Sequence, residues 1–479
     1  MPINVRAVDR DQVFLMPPSV TDWLPEKHLA WFVLDVVAEL DMAAFEAQFR
    51  ADGRGGAVYD PAMMLAVLLY AYCTGERSSR RVERRLCEDV AYRVLAANQQ
   101  PDHATLARFR RRHENAIAEL FDQLLGLCVR EGLVDAGLIA IDGTKVAANA
   151  SAWANRTRRQ IAEEILAEAE SVDAAEDAKF GERRGDELPE RWADRRDRRA
   201  RLREALHQLD AAGATDWESM QAERAAKEAE LGRKLPGRKP KPGGRRGKDR
   251  HANITDPDSR MLRAGQRFVQ GYNAQAAVTG DQVIVAAQVS NEANDTTQFL
   301  PMLEATTSNL AKTGVLESID AVVADTGYWS AENAAVDTTA TVLIPPMQPT
   351  NSPLRGDDPR LRQRAEILER LLRAEITSAD AAEQMGLSAG HARVLLSAYR
   401  KTRLNPALLR VRMEEQLADP ENAKLYAQRK ITVEPVFGHI KENRNFRRFT
   451  RRGLNAVNSE WKLICGTNNL LKLWRHRTA

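Results

Sequence analysis

Apolar residues recur at helical spacing through the first third of the chain. Trp31, Val33, Leu34, Val37 and Leu40 mark one helix, and Met64, Val67, Leu68 and Ala71 another. Tyr59-Asp60-Pro61 reads as a helix start, Asp60 capping and Pro61 in the first turn. Pro101 to Phe121 has the pattern of the second half of a helix-turn-helix. Thr105 would lead into a helix whose Arg108, Arg110, Arg111 and Arg112 lie on phosphates or in a groove, or face solvent on a packing helix. The period then changes. Leu138 to Ile141 form the short apolar run of a buried strand, interrupted by Asp142 and followed by the small Gly143 and Thr144. A charge at the end of a buried strand is costly unless it is paired or metal-bound, the plainer alternative being a turn cap. Phe268–Val278 and Gln282–Ser290, joined by Thr279-Gly280-Asp281, predict an antiparallel hairpin. Asp295 to Lys312 has helical character, Ala321–Ala324 is a strand ending on a second acid, Asp325, and Thr341–Pro345 is a further strand. Tyr328 and Trp329 follow that acid and read as core more readily than as a stacking platform for a base.

Two stretches depart from this alternation. From Ala154 to about Leu231 the chain is rich in Glu, Arg, Ala and Asp, with Leu202, Leu206 and Leu209 as a narrow stripe. Long solvated helices, a hairpin or a coiled coil, are expected there. Arg233 to Arg250 then holds nine bases and one acid among prolines and glycines, a composition unable to build a core. Its Arg238 and Lys239 suit DNA phosphates or the minor groove, and equally a solubilising linker. Ser378 to Thr402, with Gly386 at the turn and Ser388 as a cap, has a helix-turn-helix pattern shared by DNA-binding domains and small helical hairpins. The expected division is 1–135, an N-terminal helical, DNA-binding part; 136–153, the first part of an α/β core; 154–265, a charged helical insertion with a basic linker. The core resumes over 266–346, a helical insertion occupies 347–422, and 423–479 closes the core.

Composition narrows the class. The 479 residues give room for several domains, and 29% are charged. The net charge of +3 hides 70 bases against 67 acids, so placement matters more than balance. Cys73, Cys87, Cys128 and Cys465 are scattered with no C-x-x-C pair, which points away from a disulfide framework or zinc site. The N-terminus lacks the apolar core of a signal peptide, and the longest apolar run, Met63 to Cys73, is too short for a bilayer. A cytoplasmic protein with no membrane partner is expected.

The densest chemistry lies in Thr432 to Gly453. Glu434 stands on a helix, with Lys441 seven residues on near the same face. Arg444, Arg447, Arg448, Arg451 and Arg452 follow, diluted only by Glu442. One carboxylate beside six cations suits a protein that grips a polyanion and holds a metal ion against it; the alternative is a solvated helix face. With the two insertions removed, the order is strand (Asp142), hairpin, helix, strand (Asp325), helix, strand, helix (Glu434). That is the order of a ribonuclease-H-like mixed α/β sheet with flanking helices, in which the three acids would share one sheet edge. Three neighbouring carboxylates need cations, and Mg²⁺ suits them. Two such ions about 4 Å apart, for which Mn²⁺ would substitute, can drive an in-line displacement at phosphorus. A glycosidase pair is a poor alternative in such basic surroundings.

The chain resembles bacterial insertion-sequence transposases of the DDE type, in the group with a tyrosine–arginine–glutamate–lysine signature. The likeness rests on PPSVTDWLPEKHLAWFVLDVV, YDPAMMLAVLLYAY and PDHATLARFRRRH near the N-terminus. In the catalytic part it rests on IAIDGTKVAANAS, QGYNAQAAV, VVADTGYWS and YAQRKITVEPVFGHIKENRNFRRFTRRG. The resemblance implies that Asp142, Asp325 and Glu434 are the metal-binding catalytic acids. It puts Tyr426, Arg429 and Lys441 at the other signature positions, the cations on DNA phosphates. Four residues separate Arg429 from Glu434 where the common pattern has three, which puts Lys430 forward for the arginine's place. The implied activity is binding of terminal inverted repeats, hydrolysis at each end and strand transfer into target DNA, by a homodimer or higher oligomer at the bacterial nucleoid. Rival readings are a nuclease or resolvase on the same core, and a silent DNA-binding regulator descended from a transposase.

Overall fold

The structure, a computed structural model, describes residues 19–48, 58–157, 251–315, 318–346, 359–372, 375–387 and 406–478, with short stretches between 159 and 228. Among the described residues, seven α-helices come first: α1 (Leu29–Glu39), α2 (Ala43–Glu46), α3 (Pro61–Cys73), α4 (Ser79–Glu88), α5 (Val90–Leu95), α6 (His103–Arg112) and α7 (Glu114–Arg130). Asp60 caps α3 as its sequence suggests, accepting from the Ala62 amide at 2.8 Å. Helix α6 is capped one turn earlier than expected, by Asp102 rather than from Thr105. Helix α3 is buried from Met63 to Cys73, which explains why its apolar residues run almost unbroken.

The central sheet is mixed. Its strands are β1 (Leu138–Ala147), β4 (Arg260–Ala264), β5 (Arg267–Thr279), β6 (Ile284–Ser290), β7 (Ala321–Ala324) and β8 (Thr341–Leu343). Outside it, β2 (Asn155–Thr157) and β3 (His251–Asn253) form a small antiparallel pair. Strands β4 and β6 both pair with β5, β5 runs antiparallel to β1, and β1, β7 and β8 are parallel. The apolar runs of β1 and β7 are buried on both faces, as parallel strands covered by helices must be. One expectation needs correcting: β1 does not stop at Asp142. Only its ladder with β7 stops there, at Ile141–Ala324, while its pairing with β5 continues to Ala147–Gly271. Asp142 and Asp325 are therefore the next residues in register beyond a shared ladder.

Helices α8 (Phe299–Lys312) and α9 (Ala331–Ala334) lie between β6 and β8. They are followed by α10 (Pro359–Leu372), α11 (Ser378–Gln384), α12 (Pro406–Ala418), α13 (Pro420–Gly438) and α14 (Leu454–Thr478). Helix α14 is the hinge of the packing, touching α7, α3 and β6. Its Asn469 accepts from the Ile284 amide at 2.9 Å and donates to the Ile284 carbonyl at 2.7 Å, and Asn458 accepts from Val289. Helix amides thus satisfy the open edge of β6, which would otherwise expose unpaired backbone groups. Trp461, fully buried, donates its indole N–H to the Gln275 carbonyl of β5 at 2.9 Å. Among the described residues, no helix is long and apolar enough to cross a membrane.

Strands β3 and β4 lie inside the segment read as a charged insertion with a basic linker, and its last residues, as β4, join the central sheet. Arg238, Lys239 and most of the charged helices lie outside the described residues, as does the second helix of the Ser378–Thr402 pattern. Its first helix is α11, closed by a capping box between Thr377 and Asp380.

Candidate active site

The sheet edge beyond the β1–β7 ladder gathers the chemistry. Asp142 accepts from the Gly143 amide at 2.7 Å through one oxygen and from the Arg429 guanidinium at 2.9 Å through the other. Asp325 accepts from the Gly327 amide at 2.8 Å. Burial pushes the Asp142 carboxyl up to about 6; Arg429 pulls it back, and the charges of Asp325 and Asp295 push it further. Burial also acts against the charge on Arg429, but Asp142, Tyr426 and Asp325 outweigh it and hold that guanidinium above its ordinary value. Tyr426 stands beside the same guanidinium, its own phenol raised by burial.

Helix α13 packs on β1, β5 and β7 and is tied to β1 at two levels. Arg429 holds Asp142, and Lys441 donates to the Thr144 hydroxyl and, at 3.3 Å, to the Lys145 carbonyl. Lys441 sits on a π-helical turn, His439–Asn443, that widens the helix end. Glu434 lies between the two ties, two turns before Lys441, with an exposed side chain. Lys430 is exposed on the same helix.

A third aspartate that sequence reasoning missed completes this edge. Asp295 accepts from Asn273 at 2.7 Å, Gln275 at 2.9 Å and the Lys145 ammonium at 3.0 Å. Thr296, next to it, donates to the Gly327 carbonyl at 3.0 Å, and Tyr328, buried as expected, donates to the Gln275 side chain. This polar wedge runs so close behind the middle of β1 that a Cβ on Gly143 would lie 2.3 Å from the Gln275 amide nitrogen and 2.9 Å from Asp295. No local pattern separates Asp295 from Glu292 in the same stretch; the hairpin register Asn273–Ser290 is what returns that stretch to the sheet edge.

The basic run divides by burial. Arg444 does not join a DNA-facing surface: it is 4% exposed and donates to Thr467 and the Ile464 carbonyl, both at 2.9 Å. Burial lowers its pKa to about 10. Phe446 and Phe449, each 1% exposed, pin the strap that follows, turning Arg444 inward with them. Phe446 stacks on Tyr72 at 5.6 Å, and Arg77 donates to the Asn445 and Arg448 carbonyls, so the N-terminal helices grip the strap. Arg451 is partly buried against Glu114. Arg447, paired with Glu442, and Arg448 remain exposed, as do Arg108 and Arg111 on α6. Buried Glu460 accepts from the Thr450 and Arg451 amides at 2.9 and 3.0 Å and so holds the strap on α14.

The donor set fits a hard divalent cation as a pair of aspartates. Burial holds the Asp142 carboxyl up despite Arg429, so a cation arriving at this edge would favour its ionised form. Mg²⁺ is commonly held by one or two carboxylates, with water and phosphate oxygens filling its shell. Among the described residues, no three His, Cys, Asp or Glu side chains form a ready metal cage.

Two family models match the chain. A Transposase domain (DUF772) covers residues 18–112, the N-terminal helices. A Transposase DDE domain covers residues 393–474, which include α13, Glu434, the basic strap and most of α14. Neither reaches Asp142 or Asp325. No curated protein and no solved structure gives a match. With a transposase domain matched towards each end, the chain is similar over those two stretches to insertion-sequence transposases of the DDE type.

Proposed function

We propose that the chain binds the terminal inverted repeats of its element, cuts the phosphodiester at each end with water, and directs the freed 3′-hydroxyl at target DNA. The observation that carries this reading is the register of Asp142 and Asp325 at one sheet edge, with the Glu434 helix tied across it by Arg429 and Lys441. The strand order, β5–β1–β7–β8 with β6 beside β5, supports a ribonuclease-H-like core.

Asp142, Asp325 and Glu434 would hold divalent ions, Mg²⁺ or Mn²⁺. When bound, such ions polarise the scissile phosphate and acidify the attacking water or hydroxyl. The protein's own groups do the rest. Arg429 balances the charge of Asp142, and Tyr426 orients that guanidinium. Lys430, Arg447 and Arg448 present exposed cations along the helix and strap, where a phosphate backbone can follow them. Arg108 and Arg111 extend the positive surface on α6. Joining two ends calls for at least a dimer.

A test uses duplexes carrying the DNA that flanks the gene, with supercoiled target and Mg²⁺. The wild-type chain should yield nicked ends and joined product. Asp142→Asn, Asp325→Asn and Glu434→Gln should each abolish both, with DNA affinity unchanged. Cleavage without joining would make the protein a nuclease, and cleavage retained in any variant would remove that acid from the site.

A further inference from the structure

Helix α13 runs through Pro435, immediately after Glu434. Proline has no N–H, so the carbonyl four residues back, that of Ile431, has no donor within the helix, and the ring crowds the same oxygen. That carbonyl is not left without a partner. Gln282 reaches across from the β5–β6 turn and donates its side-chain amide to the Ile431 oxygen at 2.9 Å. Gln282 does so from a left-handed backbone conformation, φ +62°, that glycine or asparagine would adopt more readily. Its own amide closes the turn on the Thr279 carbonyl at 2.8 Å. A long amide side chain at a position with that backbone preference has a use only if the amide reaches something.

The geometry points to Gln282 as a positioning residue for the reaction: its side chain replaces the helical hydrogen bond that Pro435 removes and so fixes the segment carrying Glu434 over β1. The hairpin bearing Gln282 belongs to the same strand, β5, that pairs with Asp142 and supplies Gln275. The latch therefore references the segment carrying Glu434 to the strand that pairs with Asp142. This inference rests on the reading of Glu434 as a catalytic acid.

The test is a double-mutant cycle in the full-length chain. Gln282→Met removes the donor at constant length, and Pro435→Ala restores a backbone N–H at 435. Two readouts are needed: turnover of flanking-DNA cleavage at saturating DNA in Mn²⁺, and amide hydrogen exchange over residues 429–438. Gln282→Met should lower turnover ~10-fold with DNA affinity unchanged, as misplacement of a reacting group does, and should speed exchange in that segment. Adding Pro435→Ala should return both toward the wild-type value, and Gln282→Asn, too short to reach, should behave as Gln282→Met. Equal loss with and without Pro435→Ala, or no change in exchange, would overturn the latch. If exchange follows the cycle while Glu434→Gln still cleaves, the latch stands as a helix restraint and its catalytic role falls with the Glu434 reading.

Discussion

Removing the charge of Asp142 should make the metal-free protein more stable while destroying its activity. In the folded chain the Asp142 carboxyl is pushed from 3.8 up to about 6, a bias on the order of 3 kcal/mol against the ionised form at neutral pH. That bias already includes the pull of Arg429. Asn keeps the shape, carries no charge, and leaves the guanidinium beside Tyr426 and Asp325. Allowing for the imperfect match of an amide to a neutral carboxyl, Asp142→Asn should gain roughly 1–3 kcal/mol at about pH 7.5. The folded wild-type chain binds a proton between about 6 and 3.8 that the unfolded chain does not, so its stability rises relative to the variant as pH falls through that window. The gap should be widest above pH 6 and close near pH 4. Thermal unfolding of both proteins in chelator, at about pH 7.5 and about pH 4.5, measures the difference and cancels every group the two share. Mg²⁺ should then raise the melting temperature of the wild type and not of the variant. A variant less stable than wild type at the higher pH, or a gap indifferent to pH, would refute the reasoning.

Other outcomes follow from the same geometry. Arg447→Ala and Arg448→Ala should each flatten the salt dependence of DNA binding by about one unit of slope, whereas an unchanged slope would make the strap a solvated face. Arg444→Ala should leave that slope alone and cost on the order of 3 kcal/mol in chemical denaturation, because it strips a buried cation from the Thr467 and Ile464 acceptors. Gly143→Ala drives a methyl into the Gln275 amide and Asp295, and should cost roughly 1–3 kcal/mol together with most of the cleavage activity. Near wild-type cleavage in Gly143→Ala would show β1 to be more compliant around Gly143 than the structure implies.

The part of the fold most legible in the sequence is the doubly buried one. Leu138–Ile141 and Ala321–Ala324 are legible because parallel strands covered on both faces have nothing but apolar residues to offer, and an acid directly after each is conspicuous. The continuation of β1 through Gly143–Ala147 was hidden because its polar residues pair with β5 instead of filling the core. Strands β2 and β3 were hidden for a related reason. Asn253 is buried, but its amide is spent on the Ser151 carbonyl at 2.8 Å and on Asn155, so a core position looks like a loop. Arg444 misled in the opposite sense, a cation in a basic run held inside by the phenylalanines at 446 and 449. Asp295 had no local mark at all; only the hairpin register returns it to the sheet edge.

The proposed chemistry depends on three acids sharing one divalent site. Its most direct test is a crystal structure of the full chain with a DNA end and Mn²⁺, read by anomalous scattering. Manganese peaks are expected within ordinary coordination distance, about 2.1–2.2 Å, of oxygens from Asp142, Asp325 and Glu434. Manganese coordinated by the two aspartates while Glu434 stays turned to solvent in the DNA complex, or no manganese at this edge, would contradict it.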